Sequence, residues 1–249
     1  MHANLKKKYG QNFLFDKNIL KNIVNIANLT NKNIIEIGPG SGYLTEFIIQ
    51  KKPSKLTLVE IDEDLIENLH LRFSNYKQVK IIKLDFLQGE DILNSQVDII
   101  ISNLPYNVAS QILIKISISE SRPKLMILMF QKEFADKLIE EKLNSLNTII
   151  KCFYIITRKF NVSKNSFKPS PKVNSSVLEF RKLDEALLNQ NEIEKFILFK
   201  RDLFNKKRKY IRNTLKNHEK NKLIDFNLKR RPEDLNISEL INIFRKINS

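Results

Sequence analysis

A chain of 249 residues, 42% of them hydrophobic, is long enough to bury a substantial core as one large domain or as a large and a small one. Its single cysteine, Cys152, excludes an internal disulfide and a cysteine-cluster zinc site, and His2, His70 and His218 are scattered without any paired spacing, so no metal is expected. The formal net charge of +15 points to a polyanionic partner, nucleic acid before membrane surface, and it is unevenly placed: residues 1–150 carry 19 Lys and Arg against 17 Asp and Glu, residues 151–249 carry 24 against 11.

The first part therefore reads as a catalytic body and the second as the side that meets phosphates. No apolar run approaches the length of a membrane span, so no membrane partner is expected. The basic start Lys6-Lys7-Lys8 leads into Tyr9-Gly10-Gln11-Asn12 and not into an apolar stretch, which argues against a secretory signal and for a cytoplasmic location.

In chain order, Tyr9–Leu14 is either a flexible basic arm or a segment lying across a cofactor pocket. Asp16 is placed to cap a helix carrying Ile19, Leu20, Ile23, Val24 and Ala27 on one face. The run Asn33–Ile37 reads as a strand that enters the glycines Gly38, Gly40 and Gly42 and then a helix with Leu44, Phe47 and Ile48. This glycine spacing is neither the dinucleotide fingerprint nor a P-loop. Strands follow at Leu56–Ile61, Val79–Leu84 and Val97–Ser102. The first of these ends in Glu60, 22 residues after Gly38 and placed to take both hydroxyls of a ribose; the alternative is a surface acid favouring the start of the next helix. The strand-ending acids Glu36, Glu60 and Asp85 share one edge, poor company for a pyrophosphate and suited to a cationic, phosphate-free nucleoside such as S-adenosylmethionine. Asp85 is placed to accept from its adenine amine.

The strand Val97–Ser102 delivers Asn103-Leu104-Pro105-Tyr106 to the mouth of the sheet, where open α/β folds bind their ligands. A base amine is a poor nucleophile because its lone pair is spread into the ring. The Asn103 side-chain oxygen and the Leu104 carbonyl, aimed at the amine hydrogens, would return that density to nitrogen, and Tyr106 offers a flat stacking face. The plain alternative is a strand followed by a proline turn.

Beyond it the pattern predicts a helix at about Val108–Ile118, a strand at Lys124–Phe130 and a helix opened by Gln131-Lys132-Glu133. Two β-rich segments follow, Ile149–Phe160 and Ser175–Lys182, forming an edge hairpin around the proline-punctuated loop Ser166–Lys172. Strand–helix alternation of this kind argues an α/β fold with a doubly wound parallel sheet. After Leu183 short amphipathic helices are expected at 190–204, 206–217 and 236–247. The boundaries are thus a catalytic domain over 1–183 and a small helical domain over 184–249. The run Lys206–Arg212 in the latter is either a phosphate contact or a solvated face.

Assembled, these residues resemble the KsgA-type ribosomal RNA adenine dimethyltransferases, class I (Rossmann-like) S-adenosylmethionine-dependent enzymes. The motifs are Gly10-Gln11-Asn12-Phe13-Leu14, Glu36-Ile37-Gly38-Pro39-Gly40, Asn103-Leu104-Pro105-Tyr106-Asn107, Gln131-Lys132-Glu133, Phe167 with Pro171-Lys172-Val173-Asn174-Ser175, Lys207-Arg208-Lys209 with Arg212-Asn213, and Arg231-Pro232-Glu233-Asp234-Leu235. The resemblance implies cofactor contacts at Asn12, Leu14, Gly38, Glu60, Asp85 and Asn103. It implies handling of the target base by Asn103, Leu104 and Tyr106, with Phe167 as a second aromatic wall. It further implies a substrate of two adjacent adenosines in the 3′-terminal hairpin loop of small-subunit ribosomal RNA, each dimethylated at N6, by a monomer with a role in small-subunit biogenesis. The sequence departs from the family at Leu143-Asn144-Ser145-Leu146-Asn147, where Tyr-Gly-Arg-Leu-Ser is common. The rivals are an Erm-type enzyme acting on large-subunit ribosomal RNA, and a ribosome-assembly factor whose catalysis is secondary. A DNA adenine methyltransferase fits less well, as no stretch resembles a duplex target-recognition domain.

Overall fold

The computed structural model describes residues 12–89, 91–93, 96–205 and 209–248. Gly10 and Gln11 of the N-terminal motif, and Lys206, Lys207 and Arg208 of the basic run, lie outside them. Two compact units alternate along the chain. The first runs to Ala135 and resumes over Ile156–Lys182; the second takes Asp136–Ile155 and the residues from Leu183 onward.

The first unit opens with β1 (Phe13–Leu14) and α1 (Lys17–Val24). The Asp16 carboxylate accepts from the N–H groups of Asn18 and Ile19 at 3.0 and 3.3 Å, which satisfies two donors that a helix start leaves orphaned. Its apolar face, Leu20, Ile23 and Val24, is buried. Then β2 (Asn33–Ile37), α2 (Tyr43–Gln50), β3 (Lys55–Glu60), α3 (Glu63–Phe73), β4 (Val79–Lys83), β5 (Ile99–Asn103), α4 (Ala109–Ile118) and β6 (Leu125–Gln131) alternate as expected. Helix α5 (Lys132–Ile139) begins in the first unit, and α6 (Asn147–Lys151) belongs to the second. Strand β7 (Tyr154–Val162), β8 (Phe167–Lys168) and β9 (Ser175–Lys182) follow.

Seven strands form one sheet in the order β4-β3-β2-β5-β6-β9-β7. Pairing is parallel from β4 to β6, and β9 runs antiparallel to β6. Strand β6 carries Leu125-Met126-Ile127-Leu128-Met129-Phe130, all buried. Such a continuous apolar run belongs to a strand covered on both faces. The chain runs outward from β2 through β3 to β4, then crosses back to β5 on the other side of β2, so the topological switch point lies between β2 and β5. Ser102 donates its hydroxyl to the Ile37 carbonyl and joins these two strands at their carboxyl ends. The glycine loop and Asn103 therefore emerge side by side. Separately, β1 and β8 pair as a two-stranded antiparallel ribbon, Leu14 opposite Phe167.

In the second unit α7 (Ile193–Asn205), α8 (Asn217–Asn221) and α9 (Ile237–Asn248) follow. Phe196 meets Phe244 edge-on with ring centroids 5.1 Å apart, and Arg245 grips Glu192 through two hydrogen bonds of 2.8 and 2.9 Å. Cys152 is fully buried, donates to the Thr148 carbonyl, and has its thiol pushed up to about 12 by burial, so it is a packing residue.

Two sequence expectations differ from the structure. Ile149–Lys151 belongs to helix α6 and not to a strand, because the Asn144 side-chain oxygen accepts from the N–H groups of Leu146 and Asn147 and starts a turn there. Of the helix expected over 206–217, the described residues 209–216 contain only a short 3-10 turn at Ile211–Asn213. There the N–H groups of Ile211 and Arg212 donate to the carbonyls of Arg230 and Leu228, a tertiary pairing that replaces helical bonds. No helix among the described residues is long and apolar enough to cross a membrane.

Candidate active site

A cleft of about 310 Å³ opens in the first unit at the carboxyl ends of β2, β3 and β5. Its lining includes Asn12, Leu14, Gly38, Glu60, Asp85, Asn103, Leu104 and Tyr106, residues drawn from five separate stretches of sequence. Phe167 is not among them. It is 3% exposed and packs in the hydrophobic core that also holds Leu14, its partner across the β1–β8 ribbon.

The glycine loop has backbone angles that L side chains rarely adopt. At Gly40 φ is +57°, and a Cβ placed there would stand 2.7 Å from the Phe13 ring. Gly40 thus lets β1 lie across the loop. The Gly40 N–H in turn donates to Glu60 Oε2 at 3.1 Å, while Ile61 and Asp62 donate to Oε1 at 2.9 and 3.0 Å. A carboxylate has about four acceptor sites, so Glu60 is oriented by three backbone donors and keeps one site on Oε2. Burial pushes its carboxyl up from the ordinary range against the pull of these bonds. Asp85 Oδ1 accepts from the Leu87 N–H at 2.9 Å. Lys115 holds the same loop through the Leu87 and Gly89 carbonyls at 2.7 and 2.9 Å.

Glu36 also lines the cleft. It is 2% exposed, accepts from the Thr45 hydroxyl at 2.7 Å, and is raised to about 8 by burial, with the Glu60 charge adding to the effect. Three acids share the ends of β2, β3 and β4, Glu36 held largely neutral by its burial, and among the described residues the edge carries no lysine or arginine that would suit a pyrophosphate.

On the β5 side, Asn103 Nδ2 donates to the Asn12 carbonyl at 3.1 Å, which orients the amide with its oxygen free of that bond. Leu104 is buried, and Tyr106 is half-buried with its hydroxyl 2.7 Å from Ser175 Oγ. Burial keeps the Tyr106 phenol above its ordinary range, hence protonated at neutral pH. Sequence reasoning counted Glu36 among the edge acids without giving it a contact, and gave no role to Ser175. The Glu36 signal was present in its strand-end position beside glycines; the Ser175 contact spans 69 residues and has no local signature.

The profile of the ribosomal RNA adenine dimethylase family matches residues 2–248. The chain belongs to that family. It is 40% identical to the ribosomal RNA small subunit methyltransferase A of Mycoplasma capricolum subsp. capricolum, over 97% of each chain. The crystal structure of a dimethyladenosine transferase from Plasmodium falciparum superposes with a TM-score of 0.82 at 22% identity, covering 95% of this chain and 97% of that one. The crystal structure of the 23S rRNA methyltransferase ErmE gives 0.74 at 20% identity, covering 96% and 100%. These likenesses show the class I methyltransferase fold.

Family membership makes the chain an S-adenosylmethionine-dependent enzyme, and its residues fit that cofactor. The cleft offers acids in place of phosphate-binding lysines, a glycine loop that brings backbone close, and apolar walls at Leu14, Ile61 and Phe86. The departure from the family pattern at Leu143–Asn147 lies in the second unit and is a packing solution. Asn147 is fully buried and its Nδ2 donates to the carbonyls of Lys142, Glu140 and Lys137 at 2.9, 3.2 and 3.3 Å. Lys200, largely buried and lowered from its ordinary range by that burial, donates to the Ser145 carbonyl at 2.6 Å.

Proposed function

We propose that the chain dimethylates N6 of two adjacent adenosines in the 3′-terminal hairpin loop of small-subunit ribosomal RNA, acting as a monomer in the cytoplasm during small-subunit biogenesis. What carries this reading is the convergence of Asn103, Leu104 and Tyr106 with the glycine loop, Glu60 and Asp85 on one cleft. The 40% identity to a small-subunit methyltransferase favours that substrate over the large-subunit one, since the fold is common to both.

In this reading Asn12, Leu14, Gly38, Glu60, Asp85 and Asn103 hold S-adenosylmethionine, which supplies an electrophilic methyl group. Glu60, with one acceptor site left by three backbone donors, would meet one ribose hydroxyl and not the two its position suggested, and Asp85 would meet the adenine amine. The target adenine leaves its loop and stacks on Tyr106, a contact worth about 1–3 kcal/mol; Phe167, packed in the core, supplies no second wall. The Asn103 oxygen and the Leu104 carbonyl accept from the base amine and align its lone pair with the methyl group. The amine proton becomes acidic as the bond forms and passes to water, so the protein acts by alignment and desolvation and needs no strong base. Residues 184–249, rich in lysine, hold flanking phosphates.

The direct test is single-turnover methylation by Asn103→Ala, Tyr106→Ala and the double variant. The expectation is a loss of at least about hundredfold for Asn103→Ala, in the range seen when a transition-state hydrogen-bond acceptor or donor is removed. Full activity in the double variant would overturn the assignment.

A further inference from the structure

The hydroxyl contact between Tyr106 and Ser175 joins two elements of different rigidity. Ser175 is fully buried and is the first residue of β9, paired with Gln131 at the end of β6. The residue before it is also fixed: the Asn174 carbonyl accepts from the Lys132 N–H at 2.9 Å, and its side-chain oxygen accepts from the Lys164 N–H at 3.0 Å. The backbone that carries Ser175 is therefore fixed, and full burial confines its short side chain. Tyr106, by contrast, lies in a turn past the end of β5, with no ladder partner to hold it. An aromatic side chain anchored only at its Cα is free to swing about χ1, and a second anchor at its hydroxyl fixes the direction of the ring's long axis.

We propose that Ser175 is a positioning residue for methyl transfer, setting the axis of the Tyr106 ring through the 2.7 Å hydrogen bond and thereby the seat of the target adenine. The inference rests on the reading of Tyr106 as the base platform. Its consequence is greatest in the second transfer. An adenine that already carries one methyl group must present its one remaining N–H to Asn103 or Leu104 while the added methyl is accommodated beside the ring. A platform with a wandering axis loses that alignment first, and monomethylated product accumulates.

A double-mutant cycle over Ser175→Ala and Tyr106→Phe separates this role from mere packing, because Tyr106→Phe keeps the ring and removes only the shared hydrogen bond. The readouts are single-turnover rate, the ratio of N6-monomethyl- to N6,N6-dimethyladenosine, and S-adenosylmethionine affinity. The substrate is the unmethylated small subunit, on which the wild-type protein must first yield dimethyladenosine; failure there would refute the proposed function and not this inference alone. Each single variant is expected to be about tenfold slower, the order of one ordinary hydrogen bond, with a raised monomethyl fraction and unchanged cofactor affinity. The double variant is expected to be no worse than the slower single. Multiplicative losses in the double variant, or a wild-type product ratio in both singles, would overturn the proposal. Should Ser175→Ala fail to fold, Tyr106→Phe decides alone: wild-type rate and product ratio in that variant would equally overturn it.

Discussion

Glu36 couples the cleft to proton concentration. Its carboxyl is buried and raised to about 8, whereas in the unfolded chain it titrates near 4.5. Between these values the folded protein binds a proton that the unfolded one has lost. The stability the group contributes is therefore complete below the lower value and disappears as pH rises through the upper one. Glu36→Gln keeps a neutral acceptor for the Thr45 hydroxyl and cannot ionise. Its thermal midpoint should exceed that of the wild type by a margin growing from roughly pH 5 to pH 9, equivalent to a few kcal/mol at the upper end. Parallel curves for the two proteins would show that Glu36 ionises freely in the fold. Tyr106→Ala makes a second claim at this scale: the apparent affinity for RNA should fall by the stacking contribution of about 1–3 kcal/mol, with S-adenosylmethionine binding retained in calorimetry.

At the scale of elements, the glycine loop and the ribbon of β1 with β8 are interlocked through the fit of Phe13 against Gly40. Gly40→Ala would place a residue at φ +57°, a strain of about 1–2 kcal/mol, and drive its methyl group into the Phe13 ring. We expect S-adenosylmethionine affinity to drop at least about tenfold while the far-ultraviolet circular dichroism is unchanged; undiminished affinity would mean that β1 does not shape the cleft. Asn147→Ala tests the other unit. It takes the Nδ2 donor from the Lys142 carbonyl and the Oδ1 acceptor from the Asn144 N–H, while the Lys137 and Glu140 carbonyls keep Asn144 Nδ2 and Lys151 Nζ; at a cost of about 1–3 kcal/mol, the melting temperature should fall while the KM for cofactor stays put. The parallel strands and their functional ends were readable because apolar runs ending in Gly, Glu or Asp mark buried strands, whereas the strand order that sets β2 beside β5 comes from the fold. Helix α6 was not readable, since its start depends on the turn made by a single asparagine side chain, Asn144, and Ile149-Ile150 reads equally well as strand. The turn at Ile211 was hidden for a different reason: its backbone bonds go to residues 228 and 230, which no local pattern announces. Phe167 shows the limit of motif reasoning, because the sequence identifies an aromatic residue near the site without revealing that its ring packs in the core beside Leu14.

For the molecule as a whole, the excess of basic residues after position 150 makes substrate binding an electrostatic matter. Binding to small subunits should weaken linearly in a plot of log affinity against log salt, whereas cofactor affinity should barely change; a flat salt response would dissociate the basic residues from RNA contact. The charge asymmetry was visible in the sequence, and so was the convergence of the glycine loop with Asn103 on one sheet edge. The long-range hydrogen bonds that orient those groups, Asn103 to Asn12 and Tyr106 to Ser175, emerge only from the fold. The central claim is most directly tested by incubating the purified protein with labelled S-adenosylmethionine and unmethylated small or large ribosomal subunits, then mapping the labelled adenosines. The account predicts N6,N6-dimethyladenosine at two adjacent positions near the 3′ end of small-subunit RNA. Label confined to the large subunit, or no label while the cofactor is bound, would contradict it.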